Sequence, residues 1–96
     1  MSEPAQGLRR SDVAVTEADV LAEIRAVAAA QLDLEREVQP DDDLTRDLAL
    51  DSLRLITLAV ALEDHFRIEV AEEESARVRT VSDLCQLVVR HVRASS

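Results

Sequence analysis

Asp51-Ser52-Leu53 sets a hydroxyl directly behind a carboxylate, at the head of an apolar-periodic stretch. Asp and Ser are both favoured where helices begin. The pair therefore predicts a helix start whose serine hydroxyl is exposed. A phosphate attached there would face the amides and the positive dipole end of that helix. Ordinary capping accounts for the same residues, so the tripeptide alone does not choose between a cap and a modification site.

Other chemistry is weaker. For Ser52 to act as a hydrolytic nucleophile it would need a base, and His65 lies 13 residues along the same helix, about 20 Å away at 1.5 Å per residue. His91 falls at the end of the last helix, and no strained glycine turn or oxyanion hole is evident. Asp41-Asp42-Asp43 with Asp47 suggests calcium. In a twelve-residue count from Asp41, however, the sixth position is Arg46 and the twelfth is Ser52, where an EF-hand needs Gly and Glu. Cys85 is the single cysteine. It allows no disulfide framework, fits a reducing cytoplasm, and reads as a small core hydrophobe.

The elements that would position Ser52 are helical. With one glycine and two prolines in 96 residues, hairpin turns have almost no support, and the fold class is all-α. Residues 1–14, with Pro4 and Gly7, read as a flexible tail, residues 15–93 as one domain and residues 94–96 as a short C-terminal tail. A first helix begins at Thr16, with Asp19 completing a capping box, and carries Val20, Leu21, Ile24, Val27, Ala28 and Leu32 at helical spacing. It cannot pass Gln39, because Pro40 disfavours helical geometry before it. A second helix runs from Ser52 to about His65, and a short helix lies within Glu72–Arg77, packed by Val70 and Val78. A last helix begins at Thr80, with Asp83 as the box partner and Val81, Leu84, Cys85, Val88 and Val92 on its stripe. Arg90, His91 and Arg93 suit its C-terminal dipole end. The expected architecture is a four-helix bundle, three main helices and one short, with a long loop between the first two.

That loop, Asp33–Asp51, holds eight acids and two arginines. A connection of this length in a compact domain implies a function, and Leu44, Leu48 and Leu50 can tie it to the core. The second helix has more apolar residues than one face needs. Leu55, Leu58, Ala59, Leu62 and Phe66 make a complete core stripe. Leu53, Ile56 and Val60 are left over, bordered by Arg54, Thr57 and Asp64. They form a partner-binding surface if the helix is peripheral, and core if it is buried all round. The pattern alone supports both.

The net charge of −9 argues against nucleic acid or an anionic membrane as partner and favours basic protein surfaces. No apolar run is long enough to span a membrane, and the N-terminus lacks a secretory signal. All eleven basic residues are arginine, a bias that fits a high-GC bacterial source.

The motif does not stand alone. The stretch from Asp51-Ser52-Leu53-Arg54 through His65-Phe66, Ile68-Glu69-Val70 and Glu72-Glu73-Glu74 to Thr80-Val81-Ser82-Asp83-Leu84 resembles an acyl carrier protein. Upstream, Pro40-Asp41-Asp42-Asp43-Leu44 and Asp47-Leu48 resemble that family's long loop, so the likeness covers roughly Val15 to Val92. The resemblance implies a non-enzymatic carrier. Ser52 would receive phosphopantetheine from coenzyme A through a phosphopantetheinyl transferase, with Asp51 supporting the motif, and the arm's thiol would hold an acyl chain as a thioester. Leu53, Arg54, Ile56, Thr57, Val60 and Asp64 would meet acyl-transferring or condensing enzymes with basic docking patches, the carrier acting as a cytoplasmic monomer. By the same resemblance, the core stripe and the valines of the third and fourth helices would part to shelter the chain.

The sequence departs from the commonest fatty-acid carrier pattern. Ala49 stands where glycine is usual, Arg54 where an acid is common, Thr57 where glutamate is common and Val60 where methionine is common. These changes point to a discrete carrier of a specialised polyketide, unusual fatty acid or natural product pathway. Absence of Gly-Gly before the motif weighs against a peptidyl or aminoacyl carrier. From another class, a small acidic helical adaptor without prosthetic group would use Leu53, Ile56 and Val60 alone.

Overall fold

The computed structural model describes residues 15–34 and 36–95, so the tail read at 1–14 lies outside the described residues. Four helices follow in order: α1 (Glu17–Gln31), α2 (Ser52–Phe66), α3 (Glu72–Ser75) and α4 (Val81–Ser95). Helix α4 continues into the stretch read as a C-terminal tail, with Ala94 and Ser95 helical.

Each main helix starts where a side chain can satisfy its free amides. Thr16 Oγ1 accepts from the Asp19 amide while Asp19 Oδ2 accepts from the Thr16 amide. At α4 the same reciprocal box joins Thr80 and Asp83, and Asp83 Oδ2 takes the Arg79 amide as well. The ends are equally defined: Asp33 and Arg67 take left-handed geometry at φ 56° and 58°. The Leu34 amide then closes onto the Ala28 carbonyl, and the Ile68 amide onto that of Glu63, as helix-terminating turns do.

Helix α1 packs against both α2 and α4, and α2 against α4. Their shared core holds Val20, Ile24, Val27 and Ala28 from α1 with its C-cap Leu32, Leu58 and Leu62 from α2, and Val81, Leu84, Cys85 and Val88 from α4. Leu87 and Val89 are buried too, so α4 hides a wider face than one stripe. On α2 the expected core stripe divides: Leu58 and Leu62 are buried, whereas Leu55, Ala59 and Phe66 are half-buried.

The acidic connection is an anchored loop. Leu44, Leu48 and Leu50 are buried, as expected, and so is Val38. Its carbonyls serve α4: Val81 donates to Asp42 O and Ser82 to Pro40 O, while Leu44 donates to Arg79 O. Asp42, 7% exposed, accepts both Arg36 Nη2 contacts (3.0 and 3.1 Å) and the Gln39 amide at 2.8 Å. A buried carboxylate held this way is compensated rather than stranded. Asp43 collects the Thr45 amide, the Thr45 hydroxyl and the Arg46 amide, and Asp47 takes the Asp43 amide. The aspartates are therefore spent on loop geometry. Among the described residues no acid, His or Cys cluster could hold a metal ion, and no helix is long and apolar enough to cross a membrane.

Candidate functional site

Asp51, in extended geometry, is the N-cap of α2, and its Oδ1 accepts the Arg54 amide at 2.9 Å. Ser52 is thereby the first helical residue, and it is exposed. No described residue bonds its hydroxyl, which stands at the positive end of a fifteen-residue helix. Two residues before the cap, Ala49 has φ 54°, a conformation that glycine adopts without the cost borne by a Cβ. This turn brings the loop from buried Leu48 and Leu50 to the helix start.

Ser52 also borders an open cleft of about 780 Å³, within the usual size of a small-molecule site. One wall is α2, through Leu55, Ile56, Leu58 and Ala59; this is why Leu55 and Ala59 are only half-buried. Leu44 and Thr45 close it from the loop, and Glu72 and Ser75 from α3. Ala76, Arg77, Val78, Arg79 and Leu84 complete it. Glu74 steadies the α3 wall: its Oε1 accepts the Ala71 amide at 3.1 Å and meets His91 Nε2 of α4 at 2.9 Å. The Ala71 amide first, and His91 second, hold the Glu74 carboxyl below its ordinary value.

On the solvent side of α2, Leu53, Ile56 and Val60 are 71%, 59% and 55% exposed. This decides the question the periodicity left open: α2 buries one face and presents a second apolar one to solvent. Arg54 and Asp64 flank it, exposed, while Thr57 is half-buried and its hydroxyl donates back to the Leu53 carbonyl. Ile56 belongs both to this stripe and to the cleft mouth.

The histidines are placed for structure. His65 Nδ1 lies 3.5 Å from Glu23 of α1, near the far end of α2 from Ser52, and His91 is engaged by Glu74. Cys85 is buried, and burial, with the Glu17 charge second, pushes its thiol up to about 11. Arg77, Arg79 and Thr45 were not foreseen as site residues. Arg77 and Arg79 reach the cleft through the path of the chain after α3, and Thr45 through the fold of the loop before α2, and no local pattern marks them.

A bare hydroxyl on a helix N-terminus, beside a cleft and an exposed apolar stripe, marks a small helical domain with room for an attached group and an apolar face open to solvent. A phosphate ester fits there, since helix amides receive it and the cleft gives an attached group room. Known proteins agree. Residues 22–88 match the PP-binding family, described as a phosphopantetheine attachment site. The chain is 32% identical over 81 residues to an acyl carrier protein of Thermosynechococcus vestitus, covering 83% of this chain and 100% of that one. It is 36% identical over 78 residues to an acyl carrier protein of Helicobacter hepaticus, covering 80% and 97%. The fold is shared with the crystal structure of an acyl carrier protein from Thermotoga maritima, at a TM-score of 0.75 and 24% identity over 83% of this chain and 94% of that one. The chain belongs to the acyl carrier protein family: it is a carrier with a phosphopantetheine attachment site, not a catalyst, and its partners are a phosphopantetheinyl transferase and biosynthetic enzymes.

Proposed function

We propose that Ser52 is the residue that carries phosphopantetheine, and that the domain spanning residues 15–93 presents acyl intermediates to enzymes of a specialised bacterial pathway in the cytoplasm, as a monomer. The observation that carries the assignment is Ser52 at the head of α2, exposed and bonded by no described residue, directly behind its Asp51 cap and lining the cleft. In loading, the Ser52 hydroxyl displaces the nucleotide part of coenzyme A from the pantetheine phosphate. A phosphodiester forms and the hydroxyl proton leaves to the transferase. The attached group supplies a thiol that holds an acyl chain as a thioester. Tethering raises the chain's effective concentration at each enzyme it visits.

Leu53, Arg54, Ile56, Thr57, Val60 and Asp64 form the docking face in this reading. Its support is the exposure of three large apolar residues on one stripe, about 10 Å long at 1.5 Å per residue. The first turn of α2, with Arg54 in it, holds no acid, and Thr57 adds none in the second, so cognate enzymes need less basic character opposite that end than opposite the acidic loop. This favours an enzyme set distinct from that of common fatty-acid carriers.

The test is intact mass before and after incubation with coenzyme A, magnesium and a broad-specificity transferase. Gain of one phosphopantetheine by wild type and none by Ser52→Ala is expected. Gain by both variants would move the attachment site. No gain by folded apo protein with several transferases would leave a helical adaptor.

A further inference from the structure

We propose that Arg77 and Arg79 make the cleft beside Ser52 selective for acyl chains that bear a carboxylate. This rests on the reading that Ser52 carries the prosthetic arm. Both arginines line the same cleft as Ser52. Neither guanidinium has a hydrogen-bond or ion-pair partner among the described residues, whereas Arg25 bonds Val38 O and Glu37, and Arg36 bonds Asp42 and Asp47 O.

The other polar groups of the lining cannot take their place as donors. The Thr45 hydroxyl already donates to Asp43 Oδ1, and the Ser75 hydroxyl to Glu72 O. Glu72 is the one acid in the lining, so the lining itself sets two guanidiniums against one carboxylate, and a further acid acting on them is Asp83, whose charge is felt by Arg79 without an ion-pair contact. That balance in the lining is unusual in a chain of net charge −9, whose long loop and Glu69–Glu74 segment are strongly acidic.

The opposite wall, Leu55, Ile56, Leu58 and Ala59, is apolar. A chain lying in the cleft thus meets methylene-compatible surface on one side and unpartnered fork-shaped donors on the other. A plain alkyl chain would displace water from the guanidiniums and return no hydrogen bond. A chain ending in a carboxylate supplies one, with the bidentate geometry arginine favours. The phosphodiester of the arm is a second oxyanion in reach of the cleft, but the N-terminus of α2 already receives it at Ser52. The arginines are therefore assigned to the cargo.

The experiment loads wild type, Arg77→Gln, Arg79→Gln and the double variant with hexanoyl- or adipoyl-phosphopantetheine, and with the unacylated arm. Intact mass verifies each product, and circular dichroism verifies the fold. Cleavage of the thioester by hydroxylamine is then timed, each rate divided by that of the free acyl-pantetheine, and melting temperatures are recorded for all forms. Adipoyl on wild type should be cleaved about threefold more slowly than hexanoyl, the scale of an exposed ion pair. The double variant should lose that difference while hexanoyl rates stay unchanged, and high salt should erase it in wild type.

Equal relative rates for the two chains on wild type would overturn the proposal. So would an adipoyl advantage that survives in the double variant. If the substitutions shift the melting temperature of the unacylated arm as much as that of the adipoyl form, the arginines bind the phosphodiester and the cargo assignment falls. Failure of wild type to accept any arm shows in the mass spectrum beforehand, and overturns the underlying Ser52 reading instead.

Discussion

The Asp51 carboxylate accepts the amide of Arg54 at 2.9 Å, and this bond between residues three apart starts α2 at Ser52. Because the cap is supplied by Asp51, the Ser52 side chain is not consumed in capping. The serine is left exposed, and no described residue bonds its hydroxyl. A motif that sequence alone could read as an ordinary helix start therefore divides into a residue that begins the helix and a residue free for chemistry.

That division is testable by substitution at Asp51. Asp51→Ala should lower stability to urea by about 1 kcal/mol, the usual cost of a lost N-cap. Asp51→Asn keeps an acceptor and should retain most of it. If loading by the transferase falls for both variants, the enzyme reads the charge; if only for Ala, it reads the ordered helix start.

Ile56→Asp should leave helical circular dichroism unchanged, since Ile56 is 59% exposed, while lowering acyl transfer with cognate enzymes about tenfold, the loss of one interface anchor. Collapse of the helical signal would instead assign Ile56 to the core. Leu62→Ala is the contrasting control: Leu62 is 1% exposed, and its truncation should cost about 2–5 kcal/mol.

Ala49 bears left-handed geometry with a Cβ. Ala49→Gly should stabilise the protein by about 0.5–1 kcal/mol, the relief of that conformation less the greater freedom glycine gives the unfolded chain. Thermal melting measures it, and a lower melting temperature would show that the Ala49 methyl contributes packing that outweighs its backbone cost.

Acid should weaken the start of α4. The Thr80 amide, then that of Arg79, hold the Asp83 carboxyl below its ordinary 3.8. A depressed folded value means the stabilisation is complete above the unfolded value and is lost as pH falls through the folded one. Asp83→Asn should therefore be less stable than wild type at neutral pH. The gap in urea midpoint should narrow below pH about 4 and close in stronger acid. A gap independent of pH would mean that the carboxylate charge contributes nothing there.

Cys85 gives a fifth handle. With its thiol buried and pushed up to about 11, it should resist alkylation at pH 8, since the thiolate is the reactive form. Iodoacetamide should label native apo protein at no site, native holo protein once on the arm, and unfolded holo protein twice. Labelling of native Cys85 would reveal opening of the core between α1 and α4.

The helices were legible because their signals are local. Thr16 with Asp19 and Thr80 with Asp83 act across three residues, and apolar residues three and four apart share a face whatever surrounds them. The anchoring of the loop by Leu44, Leu48 and Leu50 was legible for a similar reason, since apolar residues in an acidic stretch have few alternatives to burial. Ser52 was legible through its neighbours and the long resemblance around it.

What tertiary structure alone decided is whatever depends on elements meeting at a distance. The α2 pattern permitted either a fully buried helix or one with a bare face, and only the packing of α1 and α4 on one side left Leu53, Ile56 and Val60 in solvent. Buried Asp42 pairs with exposed Arg36, and Asp42 and Pro40 carbonyls finish the amides of α4, because the loop folds back across that helix start. Leu55 and Ala59, periodic with the core, became cleft wall instead, while Arg77 and Arg79, with no pattern of their own, were carried around α3 to face them. Short-range hydrogen bonds and periodicity are written residue by residue in the sequence. Which surfaces are covered, and which charges converge, is settled only when burial of the common core fixes the helices against one another.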